Sequence, residues 1–291
     1  MQLKKNSLWA IFIGVLVFAQ LLFVYALFIE PNWIAVNRVR IVNPQLAKPL
    51  AGVKVVQVSD LHIRGLGYRE MSLVEKVNRL KPDVILITGD LLGSREGTQA
   101  CWNVLDLMEP KYWIYAVTGD KDHAYAHDLI ADPMWKKSGV TFIDEAAIKV
   151  NWKGEEGADL WLVGISASRT KELSDVIAGI PKAEPILVMS HLTSTAKQAA
   201  VLGLPLVIAG DTHGGQINPA FIRNFFDVEE HGKYIAGKYK LKDTILYINR
   251  GIGTSRVDIR FLCRPEITIY EFVSKGKMAG LKVLKEDSIM N

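Results

Sequence analysis

Cysteine is scarce in this sequence: only Cys101 and Cys263 occur among its 291 residues. They lack the close spacing of metal-binding cysteine pairs, so we expect two unpaired thiols packed as small apolar residues. Runs of basic residues and arginine clusters interleaved with aromatic residues are also missing. The net charge of +4 therefore permits an anionic substrate or a membrane surface but does not argue for nucleic acid as a partner.

One long apolar run lies near the N-terminus. Residues Leu8–Ile29 carry no charge and, as a helix, span roughly 33 Å, which is enough to cross a bilayer. Lys4 and Lys5 precede the run, Glu30 and Pro31 end it, and no clean small-residue cleavage site follows. We therefore predict a retained transmembrane anchor rather than a cleaved signal peptide. Basic residues on the two sides nearly balance, which leaves the side of the membrane open.

The rest of the chain contains neither an internal repeat nor a low-complexity linker, which favours one domain. We predict a short basic N-terminus at 1–7, the anchor at 8–29, one domain at 34–273 and a charged tail at 274–291. Strands and helical patterns alternate within the domain, which is typical of an α/β layer sandwich. Helices are expected at Tyr68–Leu80, around Gln99–Met108 and around Ala124–Lys137, and Asn43–Ala51 is expected to be a proline-marked connector. Strands are expected at Ile34–Val42, Val53–Ser59, Val84–Thr88, Trp113–Thr118, Tyr234–Leu241, Thr244–Ile248, Val257–Phe261 and Glu266–Phe272, with Val140–Val150 and Leu160–Ile165 in a second sheet.

Acidic and histidine residues follow the ends of several of these strands. Asp60 and His62 come directly after the Val53–Ser59 strand, and alone such a pair is more typical of a polar turn. The pattern recurs after four further apolar runs, at Asp90, at Asp120, at His191, and at Asp211 with His213. Carboxylates and imidazoles at the carboxyl ends of strands are suitable ligands for Zn, Mn, Fe or related ions. Their number exceeds what one ion needs, and a pair of metals is the simplest interpretation.

The segments that carry these residues resemble those of the calcineurin-like metallophosphoesterases. The chain is similar in particular to the membrane-associated bacterial branch that includes UDP-2,3-diacylglucosamine hydrolases of lipid A biosynthesis. The resemblance implies a two-sheet β-sandwich flanked by helices, a dinuclear metal centre and hydrolysis of phosphoesters or pyrophosphates. It implies a bacterial cytoplasmic membrane location with a single pass. The segments are Ser59-Asp-Leu-His62, Thr88-Gly-Asp90, Thr118-Gly-Asp-Lys-Asp122, Ser190-His191, Gly210-Asp-Thr-His-Gly-Gly-Gln216 and Asn249-Arg-Gly-Ile-Gly-Thr-Ser255.

The family's pattern assigns a role to each matching position. Asp90 would bridge two divalent ions (Mn, Mg, Fe or Zn). The first ion would be completed by Asp60, His62 and His213, and the second by Asp120, His191 and Asp211. The chain departs from the family's usual Asn-His at Asp120-Lys121 and from its Gly-His-x-His at Gly210-Asp211-Thr-His213. The two additional carboxylates favour an ion that prefers oxygen ligands, such as Mn or Mg.

The departures also change the expected catalytic groups. Lys121 could supply positive charge to the phosphate, and His123 could supply the proton for the leaving group, although an ordinary surface histidine is an equal alternative. Gly251-Ile-Gly253 could present backbone amides to the phosphate or simply form a tight turn. Pro219–Phe226 could receive acyl chains or belong to the core.

The expected activity is metal-dependent hydrolysis of a phosphodiester or pyrophosphate, with a lipid-linked phosphate such as UDP-2,3-diacylglucosamine as one substrate and the bilayer as a partner. A phosphodiesterase acting outside the membrane is an alternative. A second is a membrane-anchored pseudoenzyme that binds metal or phospholipid without turnover.

Overall fold

The computed structural model of the protein describes residues 2–126, 139–218 and 234–274. Its helices are α1 Gln2–Val24, α2 Pro44–Leu50, α3 Tyr68–Leu80, α4 Thr98–Asp106, α5 Asp120–Ala126, α6 Leu173–Val176 and α7 Thr195–Leu202. Its strands are β1 Ala35–Val42, β2 Val55–Val58, β3 Val84–Thr88, β4 Trp113–Val117, β5 Val140–Phe142, β6 Ala146–Val150, β7 Leu160–Ile165, β8 Ile186–Ser190, β9 Leu206–Ala209, β10 Gly237–Leu241, β11 Thr244–Ile248 and β12 Glu266–Val273.

The N-terminal helix projects its apolar side chains outward. α1 continues through a π-helical turn at Tyr25–Ile29 and a 3-10 turn at Glu30–Asn32. The segment Ser7–Asn32 has a mean hydropathy of 2.6 over its most apolar stretch and is long enough to cross a membrane. Nearly all of that stretch is exposed, so the rest of the described chain does not cover it.

Two six-stranded sheets form the domain. The first has the strand order β1-β12-β2-β3-β4-β5, in which β2, β3, β4 and β5 are parallel neighbours. The second has the order β10-β11-β9-β8-β7-β6, in which β11, β9, β8 and β7 are parallel. The central strands are apolar on both sides, as expected where both faces of a sheet are covered.

Three apolar clusters hold the layers together. Leu86 of β3, Leu187 of β8 and Leu206 of β9 belong to the cluster between the two sheets. Ile85 and Ile87 alternate with Leu86 and belong to a second cluster with α3 and α4 on the outer face. A third cluster joins the second sheet to α6 and α7. The result is a two-sheet sandwich flanked by helices, as predicted, and the helix Tyr68–Leu80 is confirmed with the predicted bounds.

Three local predictions were wrong. Val140–Val150 does not lie wholly in the second sheet: β5 pairs with β4 in the first, and the chain then crosses to pair β6 with β7 in the second. The connector Asn43–Ala51 contains α2, because Asn43 caps it by accepting from the Leu46 amide and Pro44 fits the first turn. Within the described chain Val257–Phe261 makes only an isolated bridge, from Phe261 to Ile217, and is not a strand.

Three other predicted segments lie partly or wholly outside the described residues. The helix predicted at Ala124–Lys137 begins earlier, at Asp120, and its part from residue 127 lies outside them. Pro219–Phe226 and the tail from residue 275 also lie outside them.

Candidate metal centre

The two sheets place their chemically active residues at one end of the sandwich. Asp60, Asp90 and Asp120 follow the adjacent parallel strands β2, β3 and β4 of the first sheet. His191 and Asp211 follow the adjacent parallel strands β8 and β9 of the second. Because parallel strands end at the same edge, each sheet collects its side chains there, and the facing sheets bring the two sets together.

An uncommon backbone conformation turns these side chains toward one another. The φ angles are positive at Asp60 (47°), His62 (43°), Asp90 (51°), Asp211 (75°) and His213 (52°). Non-glycine residues rarely adopt this left-handed region, and each instance costs of order 1–3 kcal/mol. Such strain is concentrated where geometry serves function, which agrees with a binding site at these strand ends.

The glycines that precede Asp90, Asp120 and Asp211 make room for neighbouring side chains. A Cβ atom on Gly89 would lie 2.3 Å from Nδ1 of His191, and one on Gly119 would lie 2.1 Å from Oδ1 of Asp90. One on Gly210 would lie 2.5 Å from Oδ2 of Asp60. The repeated Gly-Asp sequence therefore has a steric cause: each glycine lets a side chain from another strand approach the backbone.

The seven predicted ligand residues form three overlapping groups of donor atoms. Within each group the atoms lie within 4.8 Å of one another, and Asp60 and His191 each belong to two groups. The groups are Asp60 with His62 and His213, Asp60 with Asp90 and His191, and Asp120 with His191 and Asp211. Most of these side chains are buried, whereas Asp120 is exposed and Asp211 is partly exposed.

The closest contacts are between ligand-type atoms. Nε2 of His62 lies 2.9 Å from Nε2 of His213, and the latter lies 3.6 Å from Oδ1 of Asp60. Asp90 faces both ends of the cluster: its Oδ2 is 3.4 Å from Nε2 of His62 and its Oδ1 is 3.8 Å from Nε2 of His191. Nε2 of His191 is also 3.9 Å from Oδ1 of Asp211. One carboxylate thus lies between imidazoles from different sheets and strand ends.

The hydrogen bond and the charges around His191 favour cation binding at its Nε2 atom. Nδ1 of His191 lies 2.9 Å from the carbonyl oxygen of Thr88, which can only accept, so Nδ1 carries the proton and Nε2 faces the cluster. Burial lowers the pKa of His191, but the carboxylates of Asp90, Asp60 and Asp211 outweigh it and raise that pKa to about 9. The field that favours a proton at Nε2 equally favours a metal cation there.

The other two imidazoles remain neutral. Burial, together with the nearby positive charges, lowers the pKa of His62 to about 3 and lowers that of His213 well below its usual value. Burial also raises the pKa of Asp60 to about 7, with Asp90 and Asp211 adding to the effect and His191 opposing it. Neutral imidazoles and crowded carboxylates form a donor set that fits divalent cations, which would relieve the repulsion between the carboxylates.

Lys121 and His123 lie on α5, beside the cluster. The backbone amide of Lys121 donates to Oδ1 of Asp90 at 2.8 Å. Burial raises the pKa of Asp90, and the ammonium group of Lys121 opposes that shift. His123 lies with Nε2 2.8 Å from the hydroxyl of Thr118, which itself donates to Asp144. His123 is therefore joined to a hydrogen-bonded series and is not an isolated surface side chain.

Two supporting residues were not identified from the sequence. Asp122 is buried and accepts from the amides of Gly119 and Leu92, both at 2.9 Å. These bonds hold the turn Thr118–Asp120, which we call the Asp120 loop, against the end of β3. Burial and the charge of Asp90 raise the pKa of Asp122 to about 7. Asn249 accepts from the amide of Gly251 at 2.7 Å. Asp122 lies within the Thr118–Asp122 motif, three residues after Gly119. That spacing was the feature of the sequence from which its bond to the Gly119 amide could have been predicted.

The Gly251–Gly253 segment is a turn packed against the cluster. Its amides are used within the protein: that of Gly253 donates to the carbonyl of Asp60 at 2.7 Å, and that of Ile252 donates to the carbonyl of Ser59 at 3.0 Å. A Cβ on Gly253 would lie 2.7 Å from Cβ of His62. The turn interpretation is the one that the contacts support.

A family comparison agrees with this fold and donor set. The model of the family described as calcineurin-like phosphoesterase matches residues 53–215, more than half of the chain and the whole span from β2 to the last proposed ligand. The chain belongs to this family, and it is a metal-dependent phosphoester hydrolase. Members of the family use divalent metal ions, and the donor groups above are the candidate residues in this chain.

Several individual proteins are similar over most of the domain. The uncharacterized metallophosphoesterase YkuE of Bacillus subtilis is 26% identical over 265 residues, which cover 86% of this chain and 89% of that protein. Phosphodiesterase YaeI of Escherichia coli is 26% identical over 265 residues, covering 86% and 93%. A transmembrane protein with metallophosphoesterase domain from Danio rerio is 27% identical over 240 residues, covering 77% of this chain and 54% of that protein.

Proposed function

We propose that this protein is a membrane-anchored phosphodiesterase that uses two divalent cations. The observation that carries the proposal is the position of Asp90, whose two carboxylate oxygens face His62 on one side and His191 on the other. A carboxylate shared between two cations requires this arrangement. The name of the Escherichia coli relative, a phosphodiesterase, supports the choice of a diester substrate.

The donor groups suggest one assignment of ligands. Asp60, His62 and His213 would hold the first cation, Asp120, His191 and Asp211 would hold the second, and Asp90 would contribute to both. When bound, the cations supply an activated water and charge stabilisation for the phosphoryl oxygens. Four carboxylates with three imidazoles favour Mn or Mg over Zn, because carboxylate-rich sites suit cations that prefer oxygen.

Lys121 and His123 complete the proposed catalytic machinery. Water attacks phosphorus, the bond from phosphorus to the leaving oxygen breaks, and that oxygen takes up a proton. Lys121, whose amide is fixed on Asp90, places positive charge where the phosphate gains negative charge. His123 is the proton donor, and its contact with the Thr118 hydroxyl, which itself donates to Asp144, orients the ring.

The apolar helix suggests where the substrate is found. Ser7–Asn32 would anchor the domain in the bacterial cytoplasmic membrane with one pass, and two relatives are named as transmembrane proteins. A tethered enzyme reaches phosphoesters of membrane molecules most easily, so we propose a lipid-linked phosphate, of which UDP-2,3-diacylglucosamine is one example. That substrate requires the domain to face the cytoplasm.

The activity is tested with the full chain purified in detergent and stripped of metal. We expect hydrolysis of bis-(p-nitrophenyl) phosphate to return when Mn or Mg is added, and UDP-2,3-diacylglucosamine is assayed in parallel. Failure with Mn, Mg, Co, Fe and Zn alike would contradict the phosphodiesterase proposal. Activity on the synthetic diester alone would retain the phosphodiesterase and exclude this particular lipid substrate.

Replacing Lys121 separates catalysis from cation binding. We expect Lys121→Ala to lower kcat by about 100-fold, the loss typical of a removed charge-stabilising donor, while the bound metal changes little. Lys121→Arg, which keeps the charge, should recover part of the rate. The measurements are diester kinetics and metal content by mass spectrometry. Lys197→Ala, at an exposed position of α7, is the control. Metal loss that equals the loss of rate would instead give Lys121 a structural role.

A further inference from the structure

The end of the N-terminal helix is hydrogen-bonded into the domain. Glu30, which follows the π-helical turn, is only 1% exposed, although a charged residue after an apolar helix would ordinarily face water. Its two carboxylate oxygens accept from the backbone amides of Leu262 and Cys263, the former at 3.0 Å. One turn earlier, the carbonyl of Ala26 accepts from the amide of Arg260 at 3.0 Å. The apolar helix and the loop Arg260–Cys263 are therefore one connected unit.

That loop in turn contacts the cation site. The guanidinium group of Arg260 is fully buried and donates to the carbonyls of Gly251 and Gly253 at 3.2 and 2.6 Å. The thiol of Cys263 lies 3.3 Å from the carbonyl oxygen of His213. One end of the loop thus holds the Gly251–Gly253 turn, and the other holds the backbone of a proposed ligand.

The turn fixes two more proposed ligands. Gly251 and Gly253 approach so closely that an added Cβ would lie 2.7 Å from Cβ of Asp60 and 2.7 Å from Cβ of His62, respectively. The amide of Gly253 also donates to the Asp60 carbonyl at 2.7 Å. Asp60, His62 and His213 form one of the three donor groups. The contacts that begin at Glu30 therefore all lead to the donor group of Asp60, His62 and His213.

The other end of the cluster is held by different elements. His191 is oriented by the Thr88 carbonyl of β3, and the Asp120 loop is held by Asp122. A disturbance at Glu30 would therefore reach the two cation positions unequally.

We propose that Glu30 is a positioning residue for the cation held by Asp60, His62 and His213, so that the end of the apolar helix is part of the metal centre. The inference rests on the proposed two-cation site. Glu30 provides two acceptors for two backbone amides, and a glutamine in its place offers one acceptor and one donor. The NH₂ group of the glutamine cannot accept a hydrogen bond from a backbone N–H. The loop Arg260–Cys263 must therefore shift, and the Arg260 and Cys263 side chains shift with it.

The test uses the full chain in detergent with Mn²⁺ as the probe. Binding is followed by calorimetry and by electron paramagnetic resonance, which also reports exchange coupling between paired Mn²⁺ ions. We expect Glu30→Gln to weaken one of two binding steps by about 10- to 100-fold, the usual effect of a residue that orients ligands. His213→Ala and Asp120→Ala identify the steps, and the weakened step should be the one that His213→Ala removes.

Two further variants make the result specific. Glu75→Gln, at an exposed glutamate of α3, should leave both steps unchanged. Glu30→Asp keeps two acceptor oxygens and should recover part of the lost affinity, and it also serves as the test if Glu30→Gln does not fold. Hydrogen exchange at the Ile252 and Gly253 amides should be faster in Glu30→Gln than in the unaltered chain, because both amides donate to the Ser59–Asp60 backbone.

The outcomes are distinguishable. Equal weakening of both steps, or no change in either, would overturn the role of Glu30 while leaving the two-cation site in place. Absence of two Mn²⁺ binding steps in the unaltered chain would overturn the proposed two-cation site, and this inference with it. Selective weakening with faster exchange at the turn supports it.

Discussion

Asp90→Asn should abolish diester hydrolysis, with a loss of more than about 100-fold, because loss of partners that merely orient metal ligands already costs 10- to 100-fold. Asp90 faces His62 with one oxygen and His191 with the other, and it also accepts from the Lys121 amide. An amide can ligate through its oxygen but carries no negative charge, so both cations lose affinity together. The measurement is diester kinetics with metal content on the same preparation.

The control for Asp90→Asn is Asp106→Asn, the same chemical change at an exposed position of α4. Thermal unfolding of the metal-free proteins separates misfolding from loss of ligation. Burial raises the pKa of Asp90, so removing its charge should not destabilise the metal-free fold. A variant with near-normal rate and two bound cations would show that Asp90 is not the shared ligand.

Gly119→Ala should also remove most of the activity, although it alters no ligand. The added Cβ would lie 2.1 Å from Oδ1 and 2.4 Å from the amide nitrogen of Asp90, both inside any acceptable contact. Neither the backbone nor the buried carboxylate can move freely, because Asp122 and the Lys121 amide hold the loop. We expect a loss of metal affinity and a destabilisation of about 1–3 kcal/mol, the usual cost of overpacking.

Gly179→Ala is the matched control for Gly119→Ala, because a Cβ at Gly179 meets nothing within 4 Å and neither glycine has a positive φ. Metal binding and denaturant unfolding are measured on both variants. If Gly119→Ala binds metal and turns over diester as the unaltered chain does, then the Asp120 loop is more adaptable than its contacts indicate. The Gly-Asp repeat would then need another explanation.

The seven proposed ligands were accessible from the sequence because each lies within four residues of the end of a strand. A strand is recognised by a local pattern, and the residue after it is fixed by chain connectivity. Glu30 shows the opposite case. In sequence it ends an apolar run, whereas its partners Leu262 and Cys263 lie more than 200 residues away. Hydrophobic patterns indicate which residues are buried but not which distant amides a buried carboxylate meets.

The sequence by itself determined the apolar N-terminal helix, most strands of the two sheets, the chemical types of the donors and their order along the chain. The tertiary structure decided how the strands were shared between the sheets, as the division of Val140–Val150 between β5 and β6 demonstrates. It also decided that Asp90 faces imidazoles on both sides. Where the sequence predicted a strand at Val257–Phe261, the structure instead buries the Arg260 side chain against the Gly253 carbonyl. The physical reason is that periodicity and residue type act over a few neighbouring residues. Strand pairing, close glycine contacts and buried hydrogen bonds join residues that only the folded chain brings together.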